Sequence, residues 1–278
     1  MSEHDRKILR ALAKAREERK ELSELLDFYL ELYEVQFQAK SGLSNPEVRG
    51  KMAMRWRLEG GVPQLTFDQL GLDPDAFGHL VSRVRQVLLH HNPSWKLESV
   101  DWGPRELAAM AQEVFETWHT LTGPGSDQQL EVGQTSWADH PVALAVGFSL
   151  APYLQLASEL ILPDLDLSLW MRGYCPVCGG RPNFAVFERE RGARQLMCSR
   201  CNSLWPYGRL GCPYCGSDEK QVYHASEDGV YRLYTCPECK RYLKTMDLRD
   251  KYGEAFPVLE RLLTVGMDLA AQQEGYGN

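Results

Sequence analysis

The chain has 278 residues, 25% of them charged and 44% hydrophobic, an ordinary balance for a globular protein of about two domains. Its formal charge of −7 is uneven: residues 171–278 hold 15 bases and 13 acids, formally +2, which leaves −9 for residues 1–170. Neither part has the basic surplus that binding a phosphate backbone requires, which counts against nucleic-acid recognition.

The N-terminal sequence MSEHDRKILRALAKAREERK has no apolar run behind its charges, and neither a twin-arginine nor a lipidation motif is present. The expected location is therefore the cytoplasm. Ile8, Leu9, Leu12, Leu22, Leu25, Leu26, Tyr29, Leu32, Tyr33 and Phe37 recur at helical spacing between charges, which predicts one long amphipathic helix. Gly60-Gly61-Val62-Pro63 breaks the pattern. Asp73 and Pro74 then read as cap and first turn of a helix to about His91, and Gly103-Pro104 opens another to about Leu121. The segment from Leu121 to Val132, with its glycines and proline, reads as a loop. From about Asp139 to Leu162 the sequence predicts one helix or a pair, bent at Pro152. Pro152, Gln155 and Glu159 interrupt its apolar stretch, which suits a buried core helix and not a membrane span.

The character of the chain changes near Pro163–Gly173. All eight cysteines follow, in four Cys-x-x-Cys pairs: Cys175/Cys178, Cys198/Cys201, Cys212/Cys215 and Cys236/Cys239. Spacers of 19 and 20 residues lie within the first and second couples of pairs, and 10 between the couples. Two residues between ligands let one tight turn aim both sulfurs at a single ion, and a second such knuckle completes a tetrahedron. Strand-like runs over 183–187 and 195–197 flank Glu190-Arg191-Gly192, and runs over 221–225 and 230–235 flank Glu227-Asp228-Gly229. Knuckle, hairpin, knuckle thus occurs twice, displaced by 37 or 38 residues, as an internal duplication of a zinc-ribbon or rubredoxin-like unit. Apolar residues from Phe256 to Leu269 return to a helical period, extending to about Gln273.

The expected fold class is α+β: a mainly helical domain over 1–168, four-cysteine rubredoxin-like modules over 169–208 and 209–250, and a C-terminal helix over 251–278. Cys175-Pro-Val-Cys178-Gly179 and Cys212-Pro-Tyr-Cys215-Gly216 carry the fuller knuckle pattern. Proline presets the turn, and glycine accepts the left-handed backbone that points N–H groups at the sulfurs. In the other two knuckles Asn202 tolerates that conformation and Lys240 fits it less easily. A closed four-thiolate site is structural or redox-active and does not act as a Lewis acid. Zinc and iron both accept tetrahedral sulfur, so ligand type leaves the metal open. Disulfides or thioredoxin-like redox pairs are the lesser alternative for a chain without an export signal.

Other chemistry is thin. His90-His91 reads as polar residues at a helix C-terminus, with metal ligation the lesser reading. His119, His140 and His224 lack a partner at a telling spacing, and Trp170, Trp205 and Tyr207 read as packing around the knuckles. No phosphate loop, dinucleotide fingerprint or nucleophile elbow is present, so no catalytic residue is assigned and the chain is not read as an enzyme.

With these motifs in place, Trp170-Met-Arg-Gly-Tyr-Cys-Pro-Val-Cys-Gly-Gly-Arg-Pro182 resembles the opening of the metal region in FdhE, the formate dehydrogenase accessory protein family. The resemblance continues through Leu196-Met-Cys-Ser-Arg-Cys201 with Trp205 and Arg209, and through Cys212-Pro-Tyr-Cys215. It extends to Cys236-Pro-Glu-Cys239 with Tyr242-Leu-Lys244, and to a C-terminal helix ending Gln273-Glu-Gly-Tyr276. Gly61-Val-Pro-Gln-Leu65 is similar to a further Gly-x-Pro motif of the family. The resemblance implies a cytoplasmic protein that binds the catalytic subunit of a molybdenum- or tungsten-dependent formate dehydrogenase and is required for its activity. It implies that all eight cysteines are metal ligands, for two ions per chain, with iron held in rubredoxin fashion as well as zinc in view. A homodimer is left open. The competing readings are a zinc-ribbon nucleic-acid-binding protein and a rubredoxin-like electron carrier.

Overall fold

A computed structural model of the protein describes residues 1–94, 102–120, 141–218, 222–251 and 253–277. The predicted loop from Leu121 to Val132 and the predicted helix start at Asp139 lie outside these residues. The chain divides into two units, residues 1–48 with 65–157 and residues 49–64 with 158–278.

In the first unit the long N-terminal helix of the sequence reading is in fact two, α1 (Glu3–Glu18) and α2 (Ser23–Gly42), separated by a short 3-10 turn at Lys20–Leu22. Ser2 and Asp5 cap α1 reciprocally, each side chain accepting from the other's backbone N–H at 3.1 Å. At the break the Arg16 guanidinium meets the Asp27 carboxylate at 2.8 Å. The Lys40 ammonium, near the end of α2, reaches Asp5 at 2.6 Å, so the two helices run antiparallel. A straight helix would leave its apolar stripe in water, whereas the fold-back buries Leu12 and Leu26 completely. Each buried leucine contributes about 1.5–3 kcal/mol, more than the ~1 kcal/mol of a helical hydrogen bond lost at the corner.

Helix α4 (Pro74–His91) starts as predicted, with the Asp73 carboxylate accepting from the Ala76 N–H at 2.8 Å. It packs against α2 and α5 (Pro104–Thr120). Helix α6 (Pro141–Ile161) continues through Pro152. Proline deprives the Phe148 carbonyl of its helical donor, and the buried Gln36 amide supplies a substitute at 2.8 Å. The segment Val142–Asp164 is long and apolar enough to cross a membrane by length and composition, but 61% of its most apolar window is buried. That burial fits the core-helix reading.

The second unit contains α3 (Lys51–Glu59). It is tied in through Gln64, whose backbone N–H donates to the Pro176 carbonyl at 2.9 Å, and through Tyr174, whose hydroxyl donates to the Gly61 carbonyl at 2.7 Å. Both predicted hairpins are present, as β1 (Pro182–Phe187) with β2 (Arg194–Cys198) and β4 (Val222–Ala225) with β5 (Tyr231–Thr235). Each gains a third strand, β3 (Leu204–Pro206) and β6 (Tyr242–Asp247). The repeats join side by side in one six-stranded sheet of order β3-β2-β1-β6-β5-β4, with β1 and β6 parallel from Phe184 opposite Lys244 to Phe187 opposite Asp247. Phe184, Val186, Met197 and Met246 form the sheet's apolar core.

The C-terminal helix is likewise two, α7 (Pro257–Leu263) and α8 (Val265–Gln273). The buried Lys244 ammonium explains the break. It donates to the Arg261 carbonyl at 2.7 Å, which ends α7, and pairs with Asp268 of α8 at 2.6 Å. The fold is thus a helical N-terminal part, a sheet region carrying the cysteines, and C-terminal helices, as the α+β reading expected.

Candidate metal centre

Each knuckle closes in the same way. The first cysteine's N–H donates to the carbonyl five residues on: Cys175 to Gly180 at 2.8 Å, Cys198 to Ser203, Cys212 to Ser217 and Cys236 to Arg241, the last three at 2.9 Å. The residue after the second cysteine is left-handed in all four: φ is +71° at Gly179, +60° at Asn202, +73° at Gly216 and +53° at Lys240. Lys240 therefore takes the conformation that its side chain disfavours. The bend leaves backbone N–H groups directed at sulfur, as with Arg200 N–H, 3.4 Å from Cys198 Sγ.

The structure brings the pairs together as the spacing predicts, Cys175, Cys178, Cys198 and Cys201 in one cluster and Cys212, Cys215, Cys236 and Cys239 in the other. Three sulfur–sulfur contacts in the first cluster are 3.4–3.5 Å and two in the second are 3.7 Å, and within each cluster all four sulfurs lie within 4.8 Å of one another. Four sulfurs placed tetrahedrally ~2.3 Å from one ion lie about 3.75 Å apart, so both clusters are positioned to bind a metal ion. The separations far exceed the ~2.05 Å of a disulfide, and all eight cysteines are free.

Burial opposes charge on the sulfurs of the first cluster. Burial, reinforced by neighbouring sulfurs, pushes Cys175 well above the ordinary thiol range, and burial does the same to Cys201. Hydrogen bonds from Cys175, Cys198 and Cys201 pull Cys178 well below that range. Sulfurs this close cannot all ionise without a compensating charge, which a divalent ion would supply. The clusters differ in access. All four sulfur-bearing residues of the first are buried, whereas in the second Cys215 is exposed and Cys239 half-buried.

Sequence reasoning missed several residues that hold the clusters in place. The buried Arg194 guanidinium donates to the carbonyls of Gly208 and Gly211, fixing the linker between the clusters. Gly173 approaches Pro213 so closely that a Cβ there would overlap the Pro213 carbonyl. Ser203 Oγ lies 3.0 Å from Cys201 Sγ and 2.6 Å from Ser158 Oγ. Trp170 and Trp205 are fully buried, and their indole N–H groups donate to the carbonyls of Tyr174 and Arg172 at 2.7 and 2.9 Å. Neither presents a face for stacking. His90 and His91 do have a partner, Glu31, which lies 59 and 60 residues away in sequence.

Comparison with known proteins agrees with this geometry. Residues 174–209 match the model of the FdhE central domain. The chain is 40% identical over 113 residues to the "Protein FdhE homolog" of Aquifex aeolicus, covering 38% of this chain and 40% of that one. It is 25% identical over 266 residues to that of Rhizobium meliloti, covering 92% and 81%. The matched stretches span about two fifths of the first curated relatives' length. The crystal structure of the FdhE protein from Pseudomonas aeruginosa shares the fold, with a TM-score of 0.60 at 20% identity over 97% of this chain and 91% of that one.

Proposed function

We propose that the chain is a member of the FdhE family and a non-catalytic accessory protein of formate dehydrogenase, working in the cytoplasm. In this reading it binds the catalytic subunit of a molybdenum- or tungsten-dependent enzyme and is needed for that enzyme to become active. Each set of four cysteines holds one iron or zinc ion: Cys175, Cys178, Cys198 and Cys201 the first, Cys212, Cys215, Cys236 and Cys239 the second.

The observation that carries the reading is the pair of closed clusters embedded in an FdhE-type sequence. Four thiolates leave an ion no open position for substrate, so the metal serves the shape of a surface and does not activate a reactant. Its binding energy, on the order of 10 kcal/mol for a structural zinc, would hold small knuckles whose own apolar burial is slight. The test is joint: co-purification with a formate dehydrogenase catalytic subunit, and restoration of formate dehydrogenase activity in a strain lacking its own accessory protein. Failure of both sinks the proposal.

A second reading, rubredoxin-like electron transfer, draws on one observation, the exposure of Cys215. Iron there would stand close to a partner's redox centre. A metal analysis returning zinc alone from anaerobically prepared protein would remove it.

A further inference from the structure

We propose that Glu31, His90 and His91 form a third metal site, for a borderline divalent transition ion such as zinc, cobalt or nickel. Helix α4 ends at His91, with Asn92 as its cap, and the two histidines at that end both turn onto Glu31 of α2. His90 Nδ1 and His91 Nε2 each lie 2.9 Å from the same atom, Glu31 Oε2. Ligands at right angles ~2.1 Å from a common ion are about 3.0 Å apart, so both separations already match edges of a coordination polyhedron. The three candidate ligand atoms lie within 4.8 Å of one another.

The surroundings suit a cation. The site lies on the wall of a cleft of about 960 Å³ whose lining, among the described residues, includes Glu24, Asp27 and Glu34 and no lysine or arginine. Arg16 pairs with Asp27 at 2.8 Å, which leaves the other carboxylates to set the sign of the potential. Phe28 packs edge-on against His91, with ring centroids 5.6 Å apart, and limits that ring's freedom before any ion arrives. His91 is 19% exposed and His90 71%, so the site is anchored on one side and open to solvent on the other. Imidazole with carboxylate selects transition ions over calcium or magnesium. Three protein ligands leave positions for water or an incoming group, unlike the two thiolate clusters.

A simpler account is that two helix-terminal histidines only hydrogen-bond to a carboxylate. Cobalt(II) distinguishes the two. Full-length protein carrying zinc in both cysteine clusters, verified by metal analysis, is titrated with cobalt(II) and followed by visible absorption. The proposal expects one further equivalent, with the weak bands of nitrogen and oxygen ligation and no sulfur charge-transfer band. His91→Ala, Glu31→Gln and His90→Ala should each weaken that binding by more than the ~10–100-fold typical of losing a mere outer partner. His90 is exposed enough that its replacement leaves the fold intact, and the exposed His79→Ala serves as control. No third equivalent, a third equivalent with sulfur bands, or uptake unchanged in His90→Ala would each overturn the assignment.

Discussion

The Gln36 side chain donates a 2.8 Å hydrogen bond to the Phe148 carbonyl, the one that Pro152 leaves without a helical donor four residues on. Gln36 is 2% exposed and Phe148 is half-buried, so water replaces the lost donor only in part. Gln36→Leu should therefore cost about 1 kcal/mol, the net worth of a hydrogen bond whose acceptor is only partly shielded. In a Pro152→Ala background the alanine N–H restores the donor, and the same substitution should cost less. Denaturant unfolding of the four proteins of this cycle measures the coupling, and strict additivity would show that the two residues do not compensate each other.

Gly216 and Lys240 hold equivalent places after the two knuckles of the second cluster, at φ +73° and +53°. A Cβ at Gly216 would meet nothing within 4 Å, so Gly216→Ala tests backbone strain alone. We expect it to destabilise by about 1–2 kcal/mol, and Lys240→Gly to stabilise by up to about 1 kcal/mol, since glycine's freedom in the unfolded chain offsets part of the relief. Thermal melts of the metal-loaded proteins check both signs.

Unequal burial of the clusters predicts unequal metal release. A chelator reaches the second cluster through exposed Cys215, whereas all four residues of the first are buried. Release into a chromophoric chelator should show two phases of equal amplitude. Cys215→Ser should remove the fast one and leave the slow one. Cys178→Ser should unfold its surroundings as well, because an incomplete buried site leaves charge uncompensated. A single phase, or loss of the slow phase in Cys215→Ser, would contradict the asymmetry.

The clusters were legible in the sequence because their chemistry is local: two residues between sulfurs, a proline, and a residue able to turn left-handed. Their pairing was legible because duplication repeats the spacing. Strand β6 was not. All six of its residues are buried, including Lys244, Thr245 and Asp247, so no alternation of polar and apolar residues marks it. Those charges are tolerated because Asp268 and two arginines, distant in sequence or on the next turn, meet them inside the fold. The same distance hid Glu31 from His90, and Gln64 from Pro176. The split between α1 and α2 was hidden differently: one apolar stripe fits a long helix or a hairpin equally well, and contacts such as Arg16 with Asp27 and Asp5 with Lys40 decide.

Asp247 gives a pH test. Its carboxylate, fully buried at the end of β6, meets Arg249 at 2.6 Å and Arg232 at 2.9 Å. Hydrogen bonds from the Arg249 side chain, opposed by burial, hold its pKa below the ordinary carboxylate value. A depressed carboxylate contributes stability that is fully present above its unfolded pKa, near 3.9, and is lost as pH falls through the lower folded value. Asp247→Asn should therefore cost about 1–3 kcal/mol at neutral pH, since the buried carboxylate loses its charge-assisted hydrogen bonds while both arginines keep access to water. Its deficit against the parent should shrink as acid protonates the parent's Asp247. Acid also strips metal from thiolates, but that loss acts on both proteins and cancels in their difference. Stability measured by denaturant from neutral pH down to about 3 decides: a deficit that stays constant across that range would mean that Asp247 acts through packing and not through charge.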